Sequence, residues 1–187
     1  SFAKRADFNW LGKLGIRYPL GSLDEKDADG NRLPYAMQLS SGTLDFVLGT
    51  TWAHTYTKWS DGHQISAIIR IGQNMFHYRL GNQLMYTYWL ARTLTPSISL
   101  SGRVTYEYNT DIKGHDSSLN DAMSPSASTK TGRMLSTIGF GANYMFHHGR
   151  LAGSRLAFEV SLPYFQTLNT LQLKHALSAT LGYQYAF

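Results

Sequence analysis

The stretch TLDFVLGTTWAHTY alternates. Leu44, Phe46, Leu48, Thr50, Trp52, His54 and Tyr56 hold one parity, and Asp45, Val47, Gly49, Thr51 and Ala53 hold the other. Successive side chains of an extended chain point to opposite faces, so this period of two predicts a strand that is apolar on one side only. In HQISAIIRIG, Ile65, Ala67, Ile69 and Ile71 oppose Gln64, Ser66, Ile68 and Arg70. In SISLSGRVTYEY, Ile98, Leu100, Val104, Tyr106 and Tyr108 oppose Ser97, Ser99, Ser101, Arg103, Thr105 and Glu107. In RLAFEVSL, Leu156, Phe158, Val160 and Leu162 oppose Arg155, Ala157, Glu159 and Ser161. Near the C-terminus, Leu177, Ala179, Leu181, Tyr183, Tyr185 and Phe187 oppose Ala176, Ser178, Thr180, Gly182, Gln184 and Ala186. The parity is looser in FNWLGKLGIRYPL, QLMYTYWLAR and MLSTIGFGANYMF, and in the second of these Tyr88 and Trp89 compete for the apolar side. Together these stretches predict about eight strands, with no helical spacing of comparable length.

The connections alternate in length. TKWSDG, TLTPS and HHGRLAG are short, whereas GSLDEKDADGNRLPYAMQLSS, GQNMFHYRLGN, NTDIKGHDSSLNDAMSPSASTKTG and PYFQTLNTLQ are long. Outer-membrane barrels join their strands by short periplasmic turns and longer outer loops. With Phe187 on the periplasmic side, every long connection falls outside. A strand crossing a bilayer obliquely needs roughly 9–11 residues, which the alternating stretches supply. The expected fold is therefore all-β, an antiparallel up-and-down transmembrane β-barrel forming one domain over residues 1–187. NDAMSPSASTKTG reads as a mobile polar loop.

Composition supports this and removes other classes. Hydrophobic residues make up 43% of the 187, with 12 Tyr, 17 Gly and a mean hydropathy of −0.26. No apolar run reaches the roughly 18 residues of a transmembrane helix, while a barrel strand averages out its own hydropathy by alternating. The absence of Cys removes disulfides and thiolate metal sites. The net charge of +5 comes from 17 scattered Lys and Arg with no basic run, so nucleic acid is not an expected partner. No signal peptide is legible, so either the mature chain begins at Ser1 or something upstream is absent.

Thr180, Gly182, Tyr185 and Phe187 fit the pattern of a C-terminal outer-membrane assembly signal: polar residue, spacer, glycine, two spacers, apolar residue, spacer, apolar terminus. The expected location is the bacterial outer membrane of a Gram-negative cell. The barrel-assembly machinery, membrane lipids and lipopolysaccharide are the expected partners.

The polar parity collects Lys13, Arg17, Asp45, Arg70, Arg103, Glu107, Arg155 and Glu159 on the lumen side, with many small residues between them. Two readings stay open. Interlocked ion pairs would plug a narrow barrel, since an eight-strand interior is just wide enough for side chains to fill. Alternatively, Arg70, Arg103 and Arg155 attract carboxylates or phenolates along a solute pathway, because charged rings set anion preference in pores.

Three further groups carry candidate chemistry. Glu25, Asp27 and Asp29 before Gly30 resemble the start of a calcium loop, but the position of its closing carboxylate is Ala36, leaving a solvated acidic loop as the alternative. His115, Asp116 and Ser117 are consecutive in a loop, where neighbours point apart, and nothing resembles the Ser/His signatures of barrel lipases; no enzyme and no cofactor are expected. Met75, Phe76, His77, Tyr78, Tyr164 and Phe165 stand at the outer mouth, as an upper aromatic girdle or as the entry for an aromatic solute.

LPYAMQLSSGTLDFVLGTTW, YTYWLARTLTPSISLSGRV and RLAFEVSLPYFQTLNTLQLKHALSATLGYQYAF together resemble the meta-pathway phenol-degradation family of outer-membrane transporter-like proteins, over roughly Leu33 to Phe187. The anchors are Pro34-Tyr35, Ser41-Gly42-Thr43, Leu162-Pro163 and Leu168-Asn169. Members are usually longer, so the resemblance implies the C-terminal portion of a larger barrel. It also implies porin-like transport: passive passage of small hydrophobic or aromatic solutes, with no catalytic residues. The alternative is a closed structural or partner-binding barrel whose outer loops carry the function.

Overall fold

The computed structural model describes residues 7–119, 128–169 and 172–185. Eight long strands form one antiparallel sheet: β1 (Asp7–Arg17), β2 (Leu44–Thr55), β3 (Trp59–Ile71), β5 (Gln83–Thr93), β6 (Ile98–Asn109), β8 (Arg133–Met145), β9 (Ser154–Leu168) and β10 (Ser178–Tyr185). Two short strands, β4 (Tyr78–Arg79) and β7 (Lys113–Gly114), pair with each other in the loops. Within the main sheet each strand pairs with the next one along the chain, in the order β1-β2-β3-β5-β6-β8-β9-β10. The described residues contain no α-helix.

The predicted alternation sets the faces. Asp45 pairs with Arg17 and Arg70, Glu107 with Met85 and Leu135, and Arg103 with Trp89 and Gly139. A one-residue slip would exchange the faces of a whole strand, and the register shows none through β1 to β8. Tyr88 falls on the apolar side, against the His63 ring, and Trp89 on the polar side, opposite Gly62. The Trp89 ring occupies the space a Cβ on Gly62 would need, so glycine there is a packing requirement.

The apolar face is uncovered. Leu14 is 77% exposed, Phe140 62% and Leu181 70%, and large apolar side chains of every long strand share that exposure.

Two expectations differ from the structure, the first of them in part: the antiparallel all-β sheet of eight long strands is present. The closed barrel is not found: β1 and β10 are the edges of the sheet, and no ladder joins them among the described residues. Small side chains such as Gly49, Gly139 and Gly141 line much of the polar face. Closing at eight strands around such a face would leave space that side chains do not fill. The second correction concerns PYFQTL, read as loop. It continues β9 to Leu168, with an irregularity where Ser136 pairs with Phe165 and Thr137 with Pro163, leaving Tyr164 as the extra residue. A bulge accommodates proline, which cannot donate to a ladder. It also turns Tyr164 toward the apolar side, where its ring lies edge-on to Tyr106.

The long loops pack together into a small core of their own. Tyr35, Tyr78, Ile112 and Leu119 are buried there, with Phe76 and Leu80 against them. Tyr35 meets Tyr78 edge-on at 4.6 Å. Asn74 builds the turn leading into β4: its Oδ1 accepts from the N–H groups of Phe76 and Tyr78, and its Nδ2 donates to Ser41 O. His77 completes that turn at φ 62, and Gly114 opposite lies at φ 84, where a Cβ would strike the His77 carbonyl.

Candidate functional site

The polar face gathers the candidate lumen residues in two groups. At the loop end, Asp45 has no exposed surface. Its Oδ1 accepts from Thr43 Oγ1 at 2.8 Å, and its Oδ2 takes both Arg17 Nε at 2.8 Å and Arg17 Nη2. Ser41 Oγ also donates to Oδ2, and Arg70 Nε lies 3.8 Å away. A carboxylate stripped of water stays charged only with such partners, and here one anion serves two cations. Arg70 is further fixed by donating to Gly81 O, while Arg79 Nη1 donates to Arg70 O. Along the same rim, Glu107 accepts from Arg133 Nη2 at 2.7 Å and Asn109 Nδ2 at 2.6 Å. Arg133 in turn approaches His175, whose backbone exchanges hydrogen bonds with the Gln166 side chain.

At the turn end, Arg103 pairs with Glu159, and Arg155 reaches no carboxylate among the described residues. Arg155 Nε and Nη2 both donate to Asn143 Oδ1, at 3.0 and 2.6 Å. These groups line a cavity of about 580 Å³ together with Trp89, Gln64 and Ser101.

All six lumen candidates, Asp45, Arg70, Arg103, Glu107, Arg155 and Glu159, thus share one face, but they do not interlock as one network. Glu107 finds Arg133 rather than Arg103. The sequence reading missed Arg133, Asn143 and Trp89; the first two sit at polar-parity positions of β8, where the alternation is loose, and Trp89 is legible only through Gly62.

The outer-mouth candidates divide. Phe76 lies under the Arg32 guanidinium at 3.3 Å, His77 is exposed in its turn, and Tyr78 is buried. Burial pushes the Tyr78 phenol above its ordinary value. Tyr164 and Phe165 lie on β9 facing the apolar side, so they belong to a rim and not to the mouth of the polar face. Of the assembly-signal residues, Thr180 and Gly182 lie on the polar side of β10 and Tyr185 on the apolar side; Phe187 lies outside the described residues.

No family model matches the chain. Nor does any curated protein or solved structure. The likeness to the phenol-degradation family rests on the quoted stretches alone.

The remaining motifs find structural employment. Asp27 Oδ1 accepts from the N–H groups of Asp29 and Asn31, which holds its carboxyl below the usual range and closes a small hairpin. Among the described residues no three His, Cys, Asp or Glu side chains are grouped to hold a metal ion. Asp116 is buried against Arg32 Nε at 2.6 Å, and its other oxygen accepts from Ser118 rather than Ser117. His115 turns to the Tyr35 hydroxyl, so these three neighbours do not form a nucleophile with its base.

Proposed function

We propose that the chain forms the wall of a bacterial outer-membrane β-barrel that lets small hydrophobic or aromatic solutes pass without energy input. The observation that carries the reading is the two-faced sheet: eight long strands expose large apolar side chains on one side and keep charged and small residues on the other. Water-exposed apolar surface of that extent is exceptional for a soluble protein, and lipid is the solvent that suits it. The main strands run from 8 to 15 residues, close to what an oblique crossing needs. In lipid, unpaired strand edges are not tolerated, so the reading requires further pairing at β1 and β10. The small residues and the cavity on the polar face favour a water-filled pathway over a packed plug.

A planar-bilayer recording of the purified chain tests this. Stable unitary steps, reduced by an aromatic solute, are expected; silence from protein that has demonstrably inserted overturns passage.

A second reading draws on the loop core. Buried aromatics and the Arg32–Asp116 pair give the outer loops a fixed shape, as a platform for a partner or for lipopolysaccharide needs. Conductance that survives while loop variants lose lipopolysaccharide binding would join the two readings; binding without conductance would leave the platform alone.

A further inference from the structure

The apolar face carries a notch. Leu90, Gly102 and Phe140 form one row across β5, β6 and β8, and its middle position has no side chain. A Cβ at Gly102 would meet nothing within 4 Å, so the space above it is open. Leu100 and Val104, the neighbours of Gly102 on the same face, wall this space together with Leu90 and Phe140. The result is an apolar groove of about 460 Å³.

One end of the groove is cationic. Arg92 and Trp59 pair across β5 and β3 where those strands meet the short turns, and both border the groove. Arg92 also faces Leu100, two residues from Gly102, so the cation and the notch are adjacent. The Arg92 guanidinium stands 5.0 Å over the Trp59 ring. Such stacking holds a guanidinium in place without cancelling its charge. Among the described residues, the ion pairs do not include Arg92. Asp61, two residues along β3 from Trp59, lies 3.5 Å from His54 instead. Tyr56, Tyr144 and Tyr183 are exposed at the same end of the sheet. Aromatic side chains of that kind mark the level of the lipid headgroups.

A phospholipid joins the two chemistries in one molecule: its acyl chain fits an apolar trough, and its phosphate takes charge-assisted hydrogen bonds from a guanidinium at the boundary. We propose that the groove seats one acyl chain of an anionic phospholipid from the turn-side leaflet, with its phosphate on Arg92. The inference rests on the reading of the apolar face as the one that meets lipid, and deepens it by naming a lipid selected through its charge.

Native mass spectrometry of the intact chain, released from detergent micelles after titration with lipid, tests it. Phosphatidylglycerol is the probe, and phosphatidylcholine with the same acyl chains is its zwitterionic match. One phosphatidylglycerol is expected to be retained roughly fivefold more tightly than phosphatidylcholine, the share of a single basic residue near a lipid surface. Arg92→Gln should bring phosphatidylglycerol down to the level of phosphatidylcholine. Gly102→Leu, which fills the notch without a clash, should lower retention of both lipids and leave their remaining ratio unchanged. Equal retention of the two lipids by the parent overturns the inference, and so does an Arg92→Gln protein that keeps the preference. A dimer that retains no lipid in the same spectra would seat a second copy on the groove and overturn it as well. Flotation with phospholipid vesicles separates the failures. A folded chain that does not float overturns the membrane reading together with the lipid site, whereas one that floats without a headgroup preference overturns the site alone. Selective retention without conductance would refute passage and leave the lipid site standing.

Discussion

Replacing Asp45 with Asn tests whether the loop-end ion cluster holds the sheet together. The substitution keeps the size of the side chain and an oxygen for Thr43, but removes the charge that faces two guanidinium groups. Arg17 is about half exposed (48%), so water re-solvates it and its loss is about 1 kcal/mol or less. Arg70 is only 13% exposed and stays in place through Gly81, so it becomes a nearly buried cation without an anion. Removing one partner of a buried pair typically costs about 3–5 kcal/mol. The expected loss for Asp45→Asn is therefore about 3 kcal/mol or more. Urea unfolding in micelles, followed by tryptophan fluorescence, would read it. At a slope of about 1–3 kcal/mol per molar, the midpoint falls by roughly 1–3 M with the slope unchanged. The double variant Asp45→Asn with Arg70→Met should recover much of the loss, because no buried cation is then left without an anion and Thr43 Oγ1 keeps an oxygen to donate to. A midpoint within about 0.3 M of the parent for Asp45→Asn would falsify the argument, since the cost of an isolated buried charge would then be missing.

Other expectations follow from the loops and the face. Arg32→Met leaves Asp116 buried without its cation, so amide exchange over 110–119 should quicken by about 100-fold or more while β2 and β3 keep their protection; unchanged loop protection refutes the pair's role. Gly62→Leu must displace the Trp89 ring, at a cost of about 1–3 kcal/mol or more, and should alter the near-ultraviolet circular dichroism; an unaltered spectrum refutes that packing. Tyr78 gives a pH signature. Its phenol is raised by burial above the ordinary value near 10, so the neutral form is favoured in the fold. Its contribution is complete below about pH 10 and disappears as pH rises through the folded value. Loop protection should fall on that alkaline side, and Tyr78→Phe should flatten the fall; an identical alkaline profile in the variant refutes it.

The strands were legible wherever apolar and polar residues alternate strictly, because a sheet with one wet and one dry face imposes that period at every position. It placed Asp45, Arg70, Arg103, Glu107, Arg155 and Glu159 on one face without any knowledge of pairing. What alternation does not encode is the partner across the sheet. Glu107 meets Arg133, and Arg155 meets Asn143, through register alone. QLMYTYWLAR defeats the pattern because Tyr and Trp suit either face, and Gly62 on the neighbouring strand decides the matter. Pro163 reads as a strand breaker, whereas the bulge beside it lets β9 continue for several residues. The loops misled for a different reason. Their polar composition conceals a few apolar side chains, Tyr35, Tyr78, Ile112 and Leu119, drawn from three connections far apart in sequence, and no local period announces such a meeting.

That meeting has a kinetic consequence. Each ladder of the main sheet joins strands that follow one another along the chain, so each can zip up from the connection between them. The Tyr35 hydroxyl, in contrast, accepts from the N–H of Asp116, 81 positions away. Contacts of such separation form only after the intervening hairpins have aligned, and they are the last to be gained on folding. Side chains that join after the rate-limiting step leave the folding rate nearly untouched and govern the rate of escape from the native state. The loop core then acts as a clasp on a finished object: it contributes little to assembly and lengthens the lifetime of what has been assembled.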